Sequence, residues 1–267
     1  MTGESQEVYT HGHPEAVLRS HRWRTVDNSA SYLRHALTPG TAVLDIGCGP
    51  GTITAEFARL VAPGQVVGLD RADDVVALAA SDFQAPNLTF RTGDVYDLDI
   101  DDDSFDVVHA HQVLQHLSEP VRALAEMRRV CRRGGVVAAR DSDYSAMTWW
   151  PREPGLDRWQ EVYRAVARAN HGEPDAGPRL RSWALSAGFD DVRVMSSSWC
   201  FFDAEDRDWW ARTWAERIER SPLAARAVEL GIATQDELAA CADGWHRWAA
   251  AADACFVVPH VEVTAIA

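Results

Sequence analysis

The chain has 267 residues, of which 46% are hydrophobic and 25% are charged, and its formal net charge is −14. This composition is typical of a globular protein that buries a sizeable core. The negative charge argues against nucleic acid as a partner, because binding a phosphate backbone needs clustered Lys and Arg.

The sequence predicts neither a membrane span nor a secretion signal. It contains no run of 18 apolar residues, and its polar start, MTGESQEVYTHGHPE, lacks an apolar core. The five cysteines are odd in number and include no C-x-x-C pair, which indicates reduced thiols and neither a disulfide framework nor a zinc site. We therefore expect a cytoplasmic monomer or homodimer with no metal and no membrane partner.

A glycine-rich turn is the most informative stretch of the sequence. An apolar run over 42–46 predicts a buried strand, a G-x-G-x-G turn follows, and 52–61 predicts a helix. Such a turn lets a nucleotide-like ligand approach the backbone closely. Asp45 precedes the first glycine by two residues, and the spacing differs from the G-x-G-x-x-G of dinucleotide-binding units. An NAD-dependent oxidoreductase is therefore disfavoured.

Two further predicted strands end in acidic residues. The strand at 65–70 ends in Asp70, 19 residues after Gly51, close to the spacing at which a carboxylate binds ribose hydroxyls. The alternative is that Asp70 only caps the following helix. The strand at 88–95 contains Asp94, which can accept a hydrogen bond from the amine of adenine, and Val95, which can pack against the base.

Strands and helices continue to alternate along the chain. Residues 104–110 and 134–140 predict two more strands, with an amphipathic helix over 119–132 between them. This alternation is typical of a parallel sheet wound with helices.

These motifs together resemble class I S-adenosylmethionine (SAM) dependent methyltransferases, and in particular the branch that methylates ubiquinone and menaquinone. The resemblance covers residues 41–141 and is carried by VLDIGCGPG, VVGLD, TGDV, SFDVVHAHQVLQHL and MRRVCRRGGVVAARD. The full length, including SHRWRT near the start and the Trp-rich second half, is also similar to fungal dithiol S-methyltransferases that act on gliotoxin-like metabolites.

The resemblance implies a set of cofactor contacts. It places ribose on Asp70, adenine on the segment from Gly93 to Val95, and Arg71 at the edge of the adenine. The methionine end and the sulfonium of SAM would then lie beside Asp45, Gly47, Gly49, His111 and Gln112.

A helix is predicted from Pro14 to about Leu37, and three arginines, Arg19, Arg22 and Arg24, crowd its middle. They form either a solvated face or a closure of the cofactor site, in which Arg24 acts with Tyr9 on the carboxylate of SAM.

The second half of the chain contains ten of the eleven tryptophans. Helices are predicted over 155–170 and 176–187, a sixth strand over 191–201, three more helices within 202–252, and a seventh strand over 255–266, antiparallel to the sixth. The predicted fold is α/β, a Rossmann-like seven-stranded sheet with helices on both faces. Its parts are an N-terminal cap (1–40), the SAM-binding core (41–201, with a helical segment 147–187), a helical lid (202–252) and the last strand (253–267).

The tryptophans indicate an aromatic acceptor chamber for a mid-sized molecule. We expect Asp141, Tyr144, Trp149 and Trp150 to line it, since they follow the fifth strand. His111, His116, Asp141 and Asp143 are the candidate bases, with His111 and Asp141 preferred as catalytic residues; the alternative for each is packing or capping.

The predicted activity is methyl transfer from SAM to a small molecule of secondary metabolism. The acceptor atom is S, O, N or C, with sulfur slightly favoured. Because the sulfonium already activates the methyl group, no metal is needed. The alternatives are a C-methyltransferase of quinone biosynthesis and a SAM-binding protein without catalysis.

Overall fold

A mixed sheet of eight strands forms the centre of the computed structural model, which describes residues 20–267. Five strands are parallel and follow the predicted alternation, in the order β3-β2-β1-β4-β5. They are β1 (Val43–Ile46), β2 (Val66–Asp70), β3 (Leu88–Thr92), β4 (Phe105–His111) and β5 (Cys131–Ser142).

The last strand of the chain lies between elements that come much earlier in the sequence. β8 (Cys255–Ile266) runs antiparallel to β5 on one side and to β7 (Val192–Phe201) on the other. The predicted seven-stranded sheet is therefore confirmed. An eighth strand, β6 (Thr148–Trp150), was not predicted; it pairs with the start of β8.

Within the described part of the chain, nine α-helices follow the short helical stretch 20–22. They are α1 (Val26–Ser29), α2 (Thr52–Val61), α3 (Asp73–Asp82), α4 (Pro120–Val130), α5 (Pro154–Ala169), α6 (Leu180–Ser186), α7 (Ala204–Arg220), α8 (Pro222–Glu229) and α9 (Gln235–Ala250). None of these helices is both long and apolar enough to cross a lipid bilayer.

Alternation along the buried strands supplies apolar side chains to both faces of the sheet. Val43 packs with α1 and α2 on one face, whereas Leu44 packs with α4 and α6 on the other. Helices therefore cover both faces, as predicted for this fold.

The prediction of one helix from Pro14 to Leu37 is wrong within the described residues. Residues 20–22 are helical, residues 23–25 are not, α1 begins at Val26, and a 3₁₀ helix spans Ser31–Ala36. Thr25 forms a capping box with Asn28, which starts a new helix and so breaks the long one.

Two other boundaries differ from the prediction. The helix expected over 176–187 is a 3₁₀ turn, Gly177–Arg179, followed by α6, because Pro178 occupies the first turn. α4 ends at Val130, and β5 begins at once with Cys131, three residues earlier than expected.

The helices α7–α9 pack with α5 around a second core that consists largely of aromatic rings. The Trp159 ring lies edge-on to Trp214 (4.6 Å) and Trp245 (4.8 Å), and Phe256 of β8 lies 5.1 Å from Trp245. These ring contacts hold the helices α7–α9 against the edge of the sheet.

Candidate cofactor and acceptor site

A cavity of about 830 Å³ lies at the carboxyl ends of β1, β2 and β4. Open parallel sheets bind ligands at this edge, and the volume is within the range of cofactor sites. The predicted cofactor residues that line it are Arg24, Asp45, Gly47, Gly49, Asp70, Arg71, Gly93, Asp94, Val95, His111 and Gln112. Tyr9 lies outside the described residues.

The glycine-rich turn has a backbone that only glycine adopts easily. Gly47, Gly49 and Gly51 all have positive φ values, +65°, +54° and +84°. A Cβ on Gly47 would lie 2.4 Å from a methyl of Val113, and one on Gly51 would lie 2.7 Å from the Phe90 ring. The turn therefore packs against β3 and the end of β4 without room for a side chain.

Asp70 links the end of β2 to this turn. One carboxylate oxygen accepts from the backbone N–H of Gly49 at 3.0 Å, and the other accepts from Ala72 at 3.1 Å. Because each carboxylate oxygen has two lone pairs, the carboxylate retains capacity for hydroxyl donors from the cavity. The Asp70 side chain both shapes the site and faces it.

Asp45 is engaged within the wall of the cavity. Its carboxylate, only 2% exposed, accepts from the Thr54 hydroxyl at 2.6 Å and contacts His109 Nδ1 at 2.8 Å. Both oxygens therefore hold protein groups, so Asp45 ties the end of β1 to α2 and to β4.

The adenine end of the predicted site is more open. Asp94 is exposed, and its carboxylate accepts from the backbone N–H of Tyr96 at 2.9 Å. Val95 is buried beside it, and Arg71 lies exposed on the rim.

His111 is the buried titratable group of the cavity wall. It is 5% exposed, and neither ring nitrogen has a hydrogen-bond partner among residues 20–267. Burial lowers its pKa well below the usual value, and the Arg24 and Arg140 guanidinium groups lower it further. The imidazole is therefore neutral at pH 7 and able to accept a proton or a hydrogen bond.

A second, smaller cavity adjoins the first. It has a volume of about 30 Å³ and shares His21, Arg24, Gln112 and His116 with the cofactor cavity. The rest of its wall is mostly aromatic or polar: Ser20, Trp23, Gln115, Ser142, Tyr144, Met147, Trp199, Trp210, Trp214, Arg217 and Val258. This volume holds about one water molecule, so a larger acceptor enters only when the wall moves.

Comparison with known proteins agrees with this geometry. A family model described as Methyltransferase domain matches residues 37–191, more than half of the chain. The chain belongs to this methyltransferase family. An uncharacterized methyltransferase of Schizosaccharomyces pombe is 33% identical over 264 residues, which cover 94% of this chain and 93% of that protein.

Two other proteins align with most of this chain. The protein of Aspergillus luteorubrus described as probable methyltransferase ltbC is 29% identical over 99% of this chain and 98% of its own. The fold resembles phosphoethanolamine N-methyltransferase 2 of Haemonchus contortus, solved with S-adenosyl-L-methionine, with a TM-score of 0.54. That alignment, at 17% identity, covers 93% of this chain and 56% of the other and shows the fold alone.

Asp141 lies away from both cavities, contrary to its predicted place in the acceptor site of the methyltransferase. It lies on β5 and is fully buried, and its carboxylate accepts from the backbone N–H of Gln115 at 3.3 Å. The alternation of β5 turns Arg140 toward one face and Asp141 toward the other. Asp141 therefore supports the 3₁₀ turn Leu114–His116 instead of meeting the acceptor.

Burial raises the pKa of Asp141 to about 8, whereas the unfolded chain has a value of about 3.9. Between these values the folded methyltransferase holds a proton that the unfolded chain has lost, so the free energy of unfolding falls as pH rises. Asp141→Asn removes this term. The free energy of unfolding of Asp141→Asn, minus that of the wild type, should therefore increase by at most about 1.4 kcal/mol per pH unit between about pH 4 and 8.

Urea denaturation at pH 5, 6.5 and 8 measures this effect, with the exposed Asp99→Asn as the control. Parallel stability curves for wild type and Asp141→Asn would contradict the assignment of a protonated buried carboxyl.

The other predicted groups after β5 divide between the cavity and the core. Tyr144 lines the second cavity, and Asp143 caps the turn Tyr144–Ala146. Trp149 is buried and stacks on Phe256 at 5.6 Å, whereas Trp150 is 59% exposed. Neither tryptophan lines either of these two cavities among residues 20–267, and pairing of β6 with β8 turns the two side chains to opposite faces.

Several residues around the site were not predicted. Arg140 and Glu262 form a buried ion pair at 3.1 Å, and His260 lies beside them with its ring 4.4 Å from Trp199. Alternation within β8 could have placed Glu262 and His260 on one face. The sequence does not indicate that Glu262 and His260 lie beside β5.

Proposed function

We propose that this protein is a SAM-dependent methyltransferase that methylates a thiol or hydroxyl group of a small molecule. The observation that carries the proposal is the neutral, buried His111, whose ring nitrogens have no partner in the described part of the chain. It lies on the wall of the cofactor cavity, next to Gln112, which lines both cavities. A proton acceptor at this point suits a nucleophile that must lose a proton.

The residues of the large cavity fit SAM. The glycine-rich turn has no side chain at its three alternate glycines, and the Asp70 carboxylate has remaining capacity for the two ribose hydroxyls. We assign adenine to Gly93, Asp94 and Val95, with Arg71 at its edge. Gly47, Gly49, Asp45 and Arg24 would then surround the methionine end.

When bound, SAM supplies a methyl group on a positively charged sulfur, which leaves as a neutral thioether. The chain's own task is to position the acceptor, exclude water and take up the acceptor's proton. Holding the reactants in line contributes up to roughly 7–11 kcal/mol. The aromatic wall of the second cavity, with Tyr144, Trp199 and Trp210, suits a flat or apolar acceptor.

The acceptor atom follows from acid–base chemistry. A thiol with a pKa near ~8.5 already has some thiolate at neutral pH, whereas a phenol with a pKa near ~10 gains more from a base. The resemblance of the sequence to dithiol S-methyltransferases supports sulfur slightly and supports an acceptor of secondary metabolism.

The test has two stages. Calorimetric titration with SAM and with S-adenosylhomocysteine first measures cofactor binding. Release of S-adenosylhomocysteine is then followed with dithiols, phenols, amines and quinols. Turnover with thiols or phenols supports the proposal. Turnover with quinols at carbon, or SAM binding without any turnover, would favour a C-methyltransferase or a non-catalytic SAM-binding protein respectively.

The ribose assignment gives a separate prediction. Asp70→Ala removes an acceptor of charged hydrogen bonds, which contribute about 1.5–3 kcal/mol each, so SAM affinity should fall roughly 10- to 150-fold. Calorimetry measures the change, and Asp74→Ala, at an exposed position in the first turn of α3, is the control. Equal affinity of Asp70→Ala and wild type would refute the ribose role.

A further inference from the structure

Gln112 has an unusual backbone conformation at the junction of the two cavities. It is a non-glycine residue with a φ of +54°, immediately after β4. Its backbone N–H donates to the carbonyl of Arg140 at 2.7 Å. Residues held in the left-handed region need support from their surroundings and often occur at functional sites.

The side chain of Gln112 joins two distant parts of the chain. The Arg24 guanidinium donates to Gln112 Oε1 at 2.7 Å, and Gln112 Nε2 lies 2.8 Å from His260 Nε2. A guanidinium only donates, so the atom that faces Arg24 is the amide oxygen. The amide nitrogen therefore faces His260 and donates to it.

This orientation determines the tautomer of His260. Because Gln112 Nε2 can only donate, His260 Nε2 must be unprotonated, and the proton of the neutral ring lies on Nδ1. The charged and titratable groups around this ring are Arg24, His111 on β4, Arg140 on β5 and Glu262 on β8. Burial and the two guanidinium groups lower the pKa of His260 well below its usual value, which keeps this hydrogen-bond arrangement at neutral pH.

We propose that Arg24, Gln112 and His260 form a clamp that holds residues 20–25 against the wall shared by the two cavities. Arg24 and Gln112 both line the two cavities, so the clamp stands where they meet. Gln112 is a positioning residue that fixes this shared wall through Arg24 and His260. That the wall serves methyl transfer rests on the proposed function; the clamp itself does not.

Hydrogen exchange tests whether the clamp holds the segment. In Gln112→Ala, backbone amides of residues 20–25 should exchange roughly tenfold faster or more than in the wild type, because the hydrogen bond from a charged donor is lost. Gln65→Ala, at an exposed position outside both cavities, should leave exchange unchanged. Equal protection in Gln112→Ala and wild type would overturn the proposal.

A second measurement tests the hydrogen-bond arrangement itself. ¹⁵N NMR of labelled histidines, with His260 assigned from the signal lost in His260→Gln, should show the Nδ1–H tautomer. In Gln112→Glu, a carboxylate accepts from both Arg24 and His260, so the pKa of His260 should rise by about 1 pH unit or more. An Nε2–H tautomer in the wild type, or an unshifted His260 in Gln112→Glu, would overturn the clamp.

Cofactor titration keeps the two proposals apart. If the wild type does not bind SAM, the proposed function fails, whereas the exchange and tautomer results still decide the clamp. If the wild type binds SAM and Gln112→Ala exchanges normally, only the clamp fails.

Discussion

Replacing His111 with asparagine should lower kcat for a phenolic acceptor by about 100-fold, the lower end of a general base's usual contribution, because the lowered pKa of His111 makes it a weaker base. Asparagine retains hydrogen-bonding groups of similar size but cannot take up a proton. SAM affinity should change little, because the assigned ribose and adenine contacts lie elsewhere in the cavity. Calorimetry and steady-state kinetics on the same preparation measure both quantities.

The pH dependence gives an independent check. His111 acts as a base only when neutral, and its pKa lies well below the usual value. Activity should therefore persist below pH 6.5 and be lost only as the pH falls through that lowered pKa. In His111→Asn this acidic limb should disappear from the kcat/KM profile.

His246→Asn is the matched control, since His246 is exposed on α9. A His111→Asn variant that retains wild-type turnover with phenols would remove His111 from the mechanism and leave a packing role. Loss with phenols but not with thiols would instead indicate that thiolates react without a base.

Trp149→Ala should lower the free energy of unfolding by about 3–5 kcal/mol, as expected for the loss of a buried tryptophan. The Trp149 ring is 5% exposed, stacks on Phe256 at 5.6 Å and lies edge-on to Trp159 at 6.4 Å. Truncation opens a cavity where β6, β8 and α5 meet. Urea denaturation followed by circular dichroism measures the change.

The neighbouring tryptophan is the control. Trp150 is 59% exposed and donates to Asp253 at the surface, so Trp150→Ala should cost less than about 1 kcal/mol. A stable Trp149→Ala variant with a raised KM for the acceptor would return Trp149 to the acceptor site. Equal effects of the two substitutions would contradict the structural difference between them.

The cofactor cavity was predictable because its groups are encoded in short contiguous motifs. A strand, a turn of alternating glycines and a helix place Gly47 and Gly49 by local geometry alone. Asp70 follows at the end of the next parallel strand, and parallel strands bring their carboxyl ends to one edge. The positive φ values and the close approach of Val113 explain why glycines were needed there.

The groups beyond the cofactor cavity were less predictable because they depend on pairing between distant strands. Gln112 and His260 are 148 residues apart. No sequence pattern predicted a strand at Trp149-Trp150. The burial of Trp149 and the exposure of Trp150 could therefore not be predicted from strand alternation. Asp141 was predicted to follow the fifth strand, whereas it lies within β5.

Two helix boundaries that the prediction missed are marked by local signals in the sequence. The break before α1 follows from Thr25 and Asn28, a capping pair three residues apart. Pro178 likewise marks the division between the 3₁₀ turn and α6. Both are start signals within stretches that were each predicted as one continuous helix.

The pairing of Phe201 with Phe256 makes the helical segment between β7 and β8 a replaceable module. It leaves the sheet and returns to it at adjacent positions, so topologically it is an enlarged hairpin loop, and loops tolerate insertions. The segment α7–α9, whose helix α7 supplies Trp210, Trp214 and Arg217 to the second cavity, can therefore be exchanged without changing the strand order of the sheet. Grafting this segment between relatives, together with its aromatic partners on α5, offers a route to new acceptor specificity on an unchanged cofactor scaffold.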